Sequence, residues 1–169
     1  FRRVLFRSGN FHKAQARSFL RRLWTVLNGG DRVLIGFDLK KDIDRLLDAY
    51  NDDRGVTAEF NLNLLARINR ELGGHFDRKK FRHYSTYDVF TGAMESYLVS
   101  MESQTVAVDA LHTQFSFDAW EPVHTEYSYK YLESDIDALA ANTGYEIVDG
   151  FKDGAEWFVA SHWEVRKQT

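Results

Sequence analysis

Three stretches of the chain repeat apolar residues every three or four positions, which places them on one face of a helix. Their apolar stripes are Ala16, Phe19, Leu20, Leu23 and Leu27; Ile43, Leu46, Leu47 and Tyr50; and Phe60, Leu64, Leu65, Ile68 and Leu72. Glycine pairs follow the first and third stretches, as is common where helices end. The pattern predicts helices over about 11–28, 43–50 and 57–72, with Asp38 as the cap before the second.

Strand-like patterns lie between and after these helices. Residues 33–37 (VLIGF) are continuously apolar, which is typical of a strand buried on both faces, so the first half of the chain predicts α/β packing. Residues 89–101 and 104–109 predict a strand pair, and residues 122–131 alternate strictly. Ser134 is expected to cap a short helix, and residues 145–148 and 157–165 predict a final hairpin.

Composition and charge narrow the class of protein. The chain has 169 residues, 44% of them hydrophobic, which is enough for a packed core in one domain or part of a larger one. The net charge of −3 argues against nucleic acid as a partner, because no basic excess is available for phosphates. The chain has no cysteine and no apolar stretch of membrane-spanning length. We therefore expect a cytoplasmic protein that does not bind membranes.

The alternating segment 122–131 carries the strongest chemical signal. Glu126 and Ser128 lie on the same face, about 6.6–6.8 Å apart along a strand. A carboxylate beside a hydroxyl suits a small nitrogen-containing ligand, because one accepts hydrogen bonds and the other donates or accepts. From alternation alone, a solvated outer face is the more common explanation. Asn10 could cap a helix or bind a ligand, and Tyr50 could pack in the core or present its hydroxyl near solvent.

Several chemistries lack a supporting motif. The six histidines show no metal-ligand spacing, so we expect no metal site. No G-x-S-x-G elbow is present, and no G-x-G-x-x-G loop follows a strand. The sequence therefore shows no cradle for a nucleotide-like cofactor.

Longer strings resemble one family, the S-adenosylmethionine-dependent L-histidine Nα-methyltransferases of ergothioneine biosynthesis. The resemblance runs in the family's order from Gly9 almost to the C-terminus. It rests on LIGFDLKKD at 34–42, AYND at 49–52, GVTAEFNLN at 55–63, INREL at 68–72, MESYLV at 94–99 and HTEYSYKY at 124–131. The resemblance implies an α/β fold, namely the C-terminal part of a Rossmann-like methyltransferase with an inserted α+β substrate-binding domain.

The same resemblance implies roles for five residues and a cofactor. Asn10 ends the family's G-S-x-I-G-N motif and would contact the substrate's amino and carboxylate groups. Tyr50 would bind the carboxylate, Glu126 and Ser128 would hold the imidazole ring, and Ser96 would line the pocket. The cofactor would be S-adenosylmethionine, and its main binding residues are expected in an N-terminal part that this sequence lacks. We assign no catalytic residue.

Two departures from the family pattern concern the start of the chain. Leu5-Phe6-Arg7-Ser8 replaces the G-S-x-I of the motif, and RRVLFRS at 2–8 matches the translation of a common sequencing adapter. We hypothesise that residues 1–8 are foreign, and we expect the chain alone to be inactive.

Further along the chain, residues 9–54 are expected in the methyltransferase core and residues 55–131 mainly in the substrate-binding domain. Residues 132–169 are expected to complete the sheet. We expect a monomer that acts on an amino acid, and the resemblance implies that this amino acid is histidine. The alternatives are methylation of another amino acid or aromatic amine, or a non-catalytic amino-acid-binding module.

Overall fold

A computed structural model describes residues 3–7 and 9–167, and it divides them into two compact units. Unit 1 comprises the described parts of 1–41, 89–93 and 127–169. Unit 2 comprises residues 42–88 and 94–126. Of the segment 1–8, hypothesised to be foreign, residues 3–7 form a strand, and residues 1, 2 and 8 lie outside the described part.

Unit 1 is built on a four-stranded mixed sheet. Its strands are β1 (Arg3–Arg7), β2 (Arg32–Asp38), β8 (Tyr145–Lys152) and β9 (Phe158–Val165), in the order β1-β2-β9-β8. β1 and β2 are parallel, whereas β9 is antiparallel to both β2 and β8. Its helices are α1 (Lys13–Val26) and α4 (Glu133–Ala141). The predicted C-terminal hairpin is therefore present. Its first strand, β8, extends to Lys152, four residues beyond the predicted end at residue 148.

Aromatic side chains form the centre of unit 1. Trp163 is fully buried and stacks on Phe37 with ring centroids 5.8 Å apart. Tyr131 meets the same Phe37 ring edge-on, and Tyr145 packs against Trp163 at 5.6 Å. Leu20 of α1 belongs to the same cluster, so the predicted stripe of the first helix does face the core.

Unit 2 combines two helices with strands. The helices are α2 (Ile43–Tyr50) and α3 (Val56–Leu72), and the strands are β3 (Phe81–Asp88), β4 (Ala93–Ser100), β5 (Gln104–Val108), β6 (Thr113–Phe117) and β7 (Pro122–Tyr129). β3, β4 and β7 form one sheet in that order, and β5 pairs with β6. β7 continues from unit 2 into unit 1, because residues 127–129 belong to the latter.

The helix starts differ from the predicted caps. Asp42, not Asp38, caps α2 by accepting a hydrogen bond from the Arg45 backbone N–H at 3.0 Å. α1 is capped by His12 and not by Asn10. At α4 the cap position is Leu132, whose N–H donates to Asp135 at 3.1 Å, so Ser134 is not the cap. At α1 and α2 a different polar side chain nearby in sequence takes the capping role.

The buried face of α3 was predicted only in part, and one strand pairing was predicted incorrectly. Leu65 of the predicted stripe is buried, but Phe60 is 70% exposed and Asn61 is buried in its place. β5 pairs with β6 and not with β4, because β6 follows it after a short turn and offers a nearby antiparallel partner. β3 and β6 themselves were not predicted, since neither presents a clean apolar alternation.

Candidate functional site

In unit 1, the turn that carries Asn10 is attached to the C-terminal end of β7. The Tyr129 N–H donates to the Gly9 carbonyl oxygen at 2.8 Å, and a Cβ at Gly9 would lie 3.7 Å from Ser128 Oγ. Asn10 itself is exposed in this turn. Because His12 caps α1, the amide of Asn10 has no capping role there. The structure therefore brings the Asn10 turn beside Ser128.

Ser128 belongs to a charged network that centres on a buried lysine. Lys130 Nζ donates to Ser128 Oγ at 2.7 Å and lies 2.8 Å from Asp38 Oδ2. The Lys130 side chain is 0% exposed, although a lysine on a strand is usually solvated. Lys41 Nζ contacts the other oxygen of the same carboxylate, Asp38 Oδ1, at 2.7 Å.

The two lysines determine the charge state of Asp38. Burial by itself raises the pKa of a carboxyl group, but hydrogen bonds from Lys130 and Lys41 outweigh it and lower the pKa of Asp38. The carboxylate is therefore charged at neutral pH. The Asp38 carboxylate balances the charge of the buried Lys130 ammonium. Without this carboxylate, burial of the ammonium would carry a large uncompensated desolvation cost.

In unit 2, Tyr50 is the half-buried last residue of α2, and its neighbour Asn51 holds that helix end to β3. Asn51 Nδ2 donates to the Ser85 carbonyl oxygen at 2.9 Å, and the Ser85 N–H donates to Asn51 Oδ1 at 2.8 Å. Ser85 Oγ in turn lies 2.9 Å from Ser96 Oγ. Tyr50 and Ser96 are therefore linked through hydrogen-bonded neighbours.

A second link joins Ser96 to the strand that carries Glu126. Thr125 Oγ1 lies 2.9 Å from the Ser96 carbonyl oxygen and 2.8 Å from Asn61 Oδ1. Glu126 is the next residue and is half-buried. Ser96 is 1% exposed, so its hydroxyl contributes to a buried polar network with Ser85.

That network contains a histidine that the sequence pattern did not single out. His83 Nε2 lies 3.1 Å from Ser85 Oγ. Burial lowers the pKa of His83, and the nearby charge of Asp52 opposes this only in part. Lys130, Asp38 and His83 were thus all missed as members of polar networks. For Lys130 a signal existed, because it continues the face of Glu126 and Ser128 two residues further along.

Neither a metal site nor a glycine-rich cofactor loop is found in the described residues. In residues 3–7 and 9–167, no group of three His, Asp or Glu side chains is placed to hold a metal ion. The connections from β1 and β2 to the next helices, 9–12 and 39–42, contain no repeated glycine, and His12 and Asp42 already cap the helices that follow. These residues do not form a cradle for S-adenosylmethionine. No helix in the described part is long and apolar enough to cross a membrane.

Comparison with known proteins identifies the family. The sequence model described as histidine-specific, S-adenosylmethionine-dependent methyltransferase matches residues 7–165. The chain is 38% identical over 147 residues to a histidine N-alpha-methyltransferase of Mycolicibacterium smegmatis, which covers 87% of this chain and 46% of that protein. It is 29% identical over 148 residues to ergothioneine biosynthesis protein 1 of Schizosaccharomyces pombe, covering 85% of this chain and 18% of that protein.

A solved structure shows a similar fold. The PH0226 protein of Pyrococcus horikoshii superposes with a TM-score of 0.50 and 10% identity, over 97% of this chain and 54% of that one. The fold and the sequence match together define a mixed α/β part of a methyltransferase. The chain belongs to the family of S-adenosylmethionine-dependent, histidine-specific methyltransferases, as its resemblance predicted. It spans about half the length of the bacterial relatives that it matches.

Proposed function

We propose that this chain is the C-terminal part of an enzyme that transfers a methyl group from S-adenosylmethionine to the α-amino group of L-histidine. The family match over residues 7–165 is the observation that carries this proposal. The attachment of the Gly9–Asn10 turn to β7 beside Ser128 supports this proposal, because Asn10 and Ser128 both have expected roles in binding the amino acid.

The proposed binding roles divide the substrate into two ends. Asn10 and Tyr50 bind the amino and carboxylate groups, since an amide donates and accepts and a phenol donates. Glu126 and Ser128 bind the imidazole ring, and Ser96 contributes to the wall. A ring that is hydrogen-bonded at both nitrogens is distinguished from apolar analogues, because those would leave buried polar groups unpaired.

This arrangement would act mainly by positioning. S-adenosylmethionine supplies an electrophilic methyl group when it is bound. The amine must present a neutral lone pair to that methyl carbon, so holding both ends of the amino acid fixes the direction of attack. No side chain of this chain needs to form a covalent bond with the substrate.

We also propose a domain organisation and a cellular location for the protein. Residues 9–54 and 132–169 belong to the methyltransferase core, and residues 55–131 form mainly the substrate-binding domain. The division into two compact units supports most of this assignment, since residues 55–88 and 94–126 lie in unit 2, although that unit also contains residues 42–54. The protein acts in the cytoplasm as a monomer, without nucleic acid or membrane as a partner. The net charge of −3 supports the absence of nucleic acid.

A chimera tests the function directly. Residues 9–169 are fused to the part of the Mycolicibacterium smegmatis relative that this chain does not span, and methylated histidine is measured by mass spectrometry. We expect histidine to be methylated, and we expect Ser128→Ala to reduce kcat/KM about tenfold. The control Glu133→Gln alters a surface pair with Lys152 and should have no effect.

The outcomes separate the competing functions. Methylation of another amino acid or aromatic amine in preference to histidine would identify a different substrate. Histidine binding without methyl transfer, in a chimera that binds S-adenosylmethionine, would indicate a binding module.

A further inference from the structure

Lys130 is an unusual residue for its position. Its side chain is 0% exposed at the residue directly after β7, where an apolar side chain of similar length would fill the same space. Burying a lysine with a carboxylate rarely stabilises a protein more than apolar packing does. Packing alone therefore gives no reason for a lysine here, and its contacts with Ser128 and Asp38 indicate what its charge does.

The hydrogen bond between Lys130 and Ser128 can run in only one direction. An ammonium group has three donors and no acceptor, so Ser128 Oγ must accept the 2.7 Å hydrogen bond from Lys130 Nζ. A serine hydroxyl otherwise rotates to donate or to accept. The hydroxyl proton of Ser128 is consequently directed away from Lys130.

We propose that Lys130 is a specificity-determining positioning residue that fixes Ser128 as a hydrogen-bond donor to the substrate ring. Ser128 then requires an unprotonated ring nitrogen as acceptor, so the site selects the neutral imidazole of histidine. An imidazolium presents only donors and would place a second cation near Lys130. This inference rests on the proposed function and names a residue to which the resemblance assigns no role.

The charged side chains around Ser128 and Lys130 also favour a neutral imidazole ring. Asp38 at the end of β2 is shared by Lys130 and Lys41, so its negative charge is already balanced. Lys40, next in the chain, has its Nζ 3.2 Å from the position of a Cβ at Gly92, whose carbonyl oxygen accepts from the Lys130 N–H. Two further titratable groups in this part of the structure are His12, whose ring meets that of Tyr129, and Glu126, two residues before Ser128 on β7.

Paired variants of the chimera test the inference. Lys130→Met removes the ammonium but keeps most of the length of the side chain. The matched control Lys41→Met removes the other cation from Asp38 without touching Ser128. By isothermal titration with histidine at pH 7.5, we expect about tenfold weaker binding for Lys130→Met and less than about twofold for the control. Equal effects of the two variants would overturn the inference.

A double-mutant cycle shows whether Lys130 acts through Ser128. If it does, adding Lys130→Met to Ser128→Ala weakens histidine binding by less than about twofold beyond Ser128→Ala alone. Independent, multiplying effects would contradict the inference.

A pH profile separates orientation from a purely structural role. With a ring pKa of about 6.5, about a tenth of free histidine has a neutral ring at pH 5.5. We expect the unchanged chimera to bind histidine about tenfold more weakly at pH 5.5 than at pH 7.5. For Lys130→Met we expect histidine binding to weaken by less than about threefold between these pH values. The Ser128 hydroxyl can then rotate and accept a hydrogen bond from the protonated ring. Parallel pH profiles for the two proteins would overturn the inference.

One measurement needs no variant and remains decisive if Lys130→Met does not fold. Histidine with ¹⁵N in the ring is bound to the unchanged chimera at pH 6, and NMR shifts report the protonation of each nitrogen. One protonated and one unprotonated nitrogen are expected, and two protonated nitrogens would overturn the inference. A chimera that binds no histidine at all would instead overturn the proposed function, and the inference with it.

Discussion

Asn51 and Ser85 exchange two hydrogen bonds, from Asn51 Nδ2 to the Ser85 carbonyl oxygen at 2.9 Å and from the Ser85 N–H to Asn51 Oδ1 at 2.8 Å. The amide side chain thereby pairs with β3 as the backbone of a neighbouring strand would. This contact holds the end of α2, and hence the position of Tyr50, against the strand that carries the buried Ser85.

Replacing Asn51 should destabilise this attachment. Asn51→Ala leaves the Ser85 N–H and carbonyl without these partners, so we expect a loss of about 1–3 kcal/mol in the free energy of unfolding. Urea denaturation of the chain measures it. Asn63→Ala on the exposed face of α3 is the matched control, for which a change below about 0.5 kcal/mol is expected. Similar losses for both variants would contradict the role of Asn51.

Removing the counter-charge of Lys130 should be more costly. Asp38→Asn leaves the buried ammonium without a carboxylate, and we expect about 3–5 kcal/mol of destabilisation. Thermal and urea unfolding provide the measurement, with the exposed Asp137→Asn as control. In the double variant Asp38→Asn with Lys130→Met, much of the loss should be recovered, since the fully buried ammonium is then removed as well. A stability equal to that of the single variant would argue against a charged pair.

Acid should weaken the protein partly through Asp38. Burial opposes its ionisation, but the hydrogen bonds from Lys130 and Lys41 lower the pKa of Asp38 in the folded state. The unfolded chain therefore binds the proton more tightly, so this stabilisation is complete above the unfolded pKa of about 3.9 and is lost as pH falls through the lower folded value. We expect the unfolding free energy of Asp38→Asn to fall less steeply below pH 4 than that of the unchanged chain.

The chain by itself should not bind the cofactor tightly. The connections after β1 and β2 carry no repeated glycine, and side chains already cap the helices that follow. Isothermal titration with S-adenosylmethionine should show weak binding or none, and methyl transfer should be absent. The chimera with the mycolicibacterial relative is the positive control. Micromolar binding by the chain alone would show that a cradle exists within it.

Glu126 should matter for histidine more than for other substrates. In the chimera, Glu126→Ala removes the carboxylate expected to accept from the imidazole N–H. We expect kcat/KM for histidine to fall about 10- to 100-fold, with little change for an apolar amino acid. Glu133→Gln serves again as the surface control. Equal losses of kcat/KM for both substrates would indicate that Glu126 supports the protein structure and does not bind the imidazole ring.

Much of the secondary structure followed from local pattern. The stripe of α1 predicted Ala16, Leu20 and Leu27 as buried, and all three are. The strict alternation of 122–131 predicted β7, and the final hairpin was found where two apolar runs flank a polar turn. The family itself was identifiable from strings such as LIGFDLKKD, and the sequence match confirmed it.

The errors arose where a partner distant in sequence decides the outcome. On α3 the apolar spacing favoured Phe60 as buried, yet Asn61 is buried because Thr125, 64 residues away, lies 2.8 Å from its amide oxygen. β3 was missed since its burial depends on neighbours such as Asn51 rather than on an apolar run. The pairing of β5 with β6 likewise depends on chain reversal rather than on hydrophobicity.

The sequence by itself determined the family, the helices with one apolar face, and the strand on which Glu126, Ser128 and Lys130 alternate, because these depend on residue order and backbone periodicity. Only the tertiary structure decided that Lys130 is buried, that Asp38 is its counter-ion instead of a helix cap, and that the Asn10 turn lies against β7. Desolvation and hydrogen bonding act between atoms that are close in space, and separation along the chain does not reveal which atoms those are.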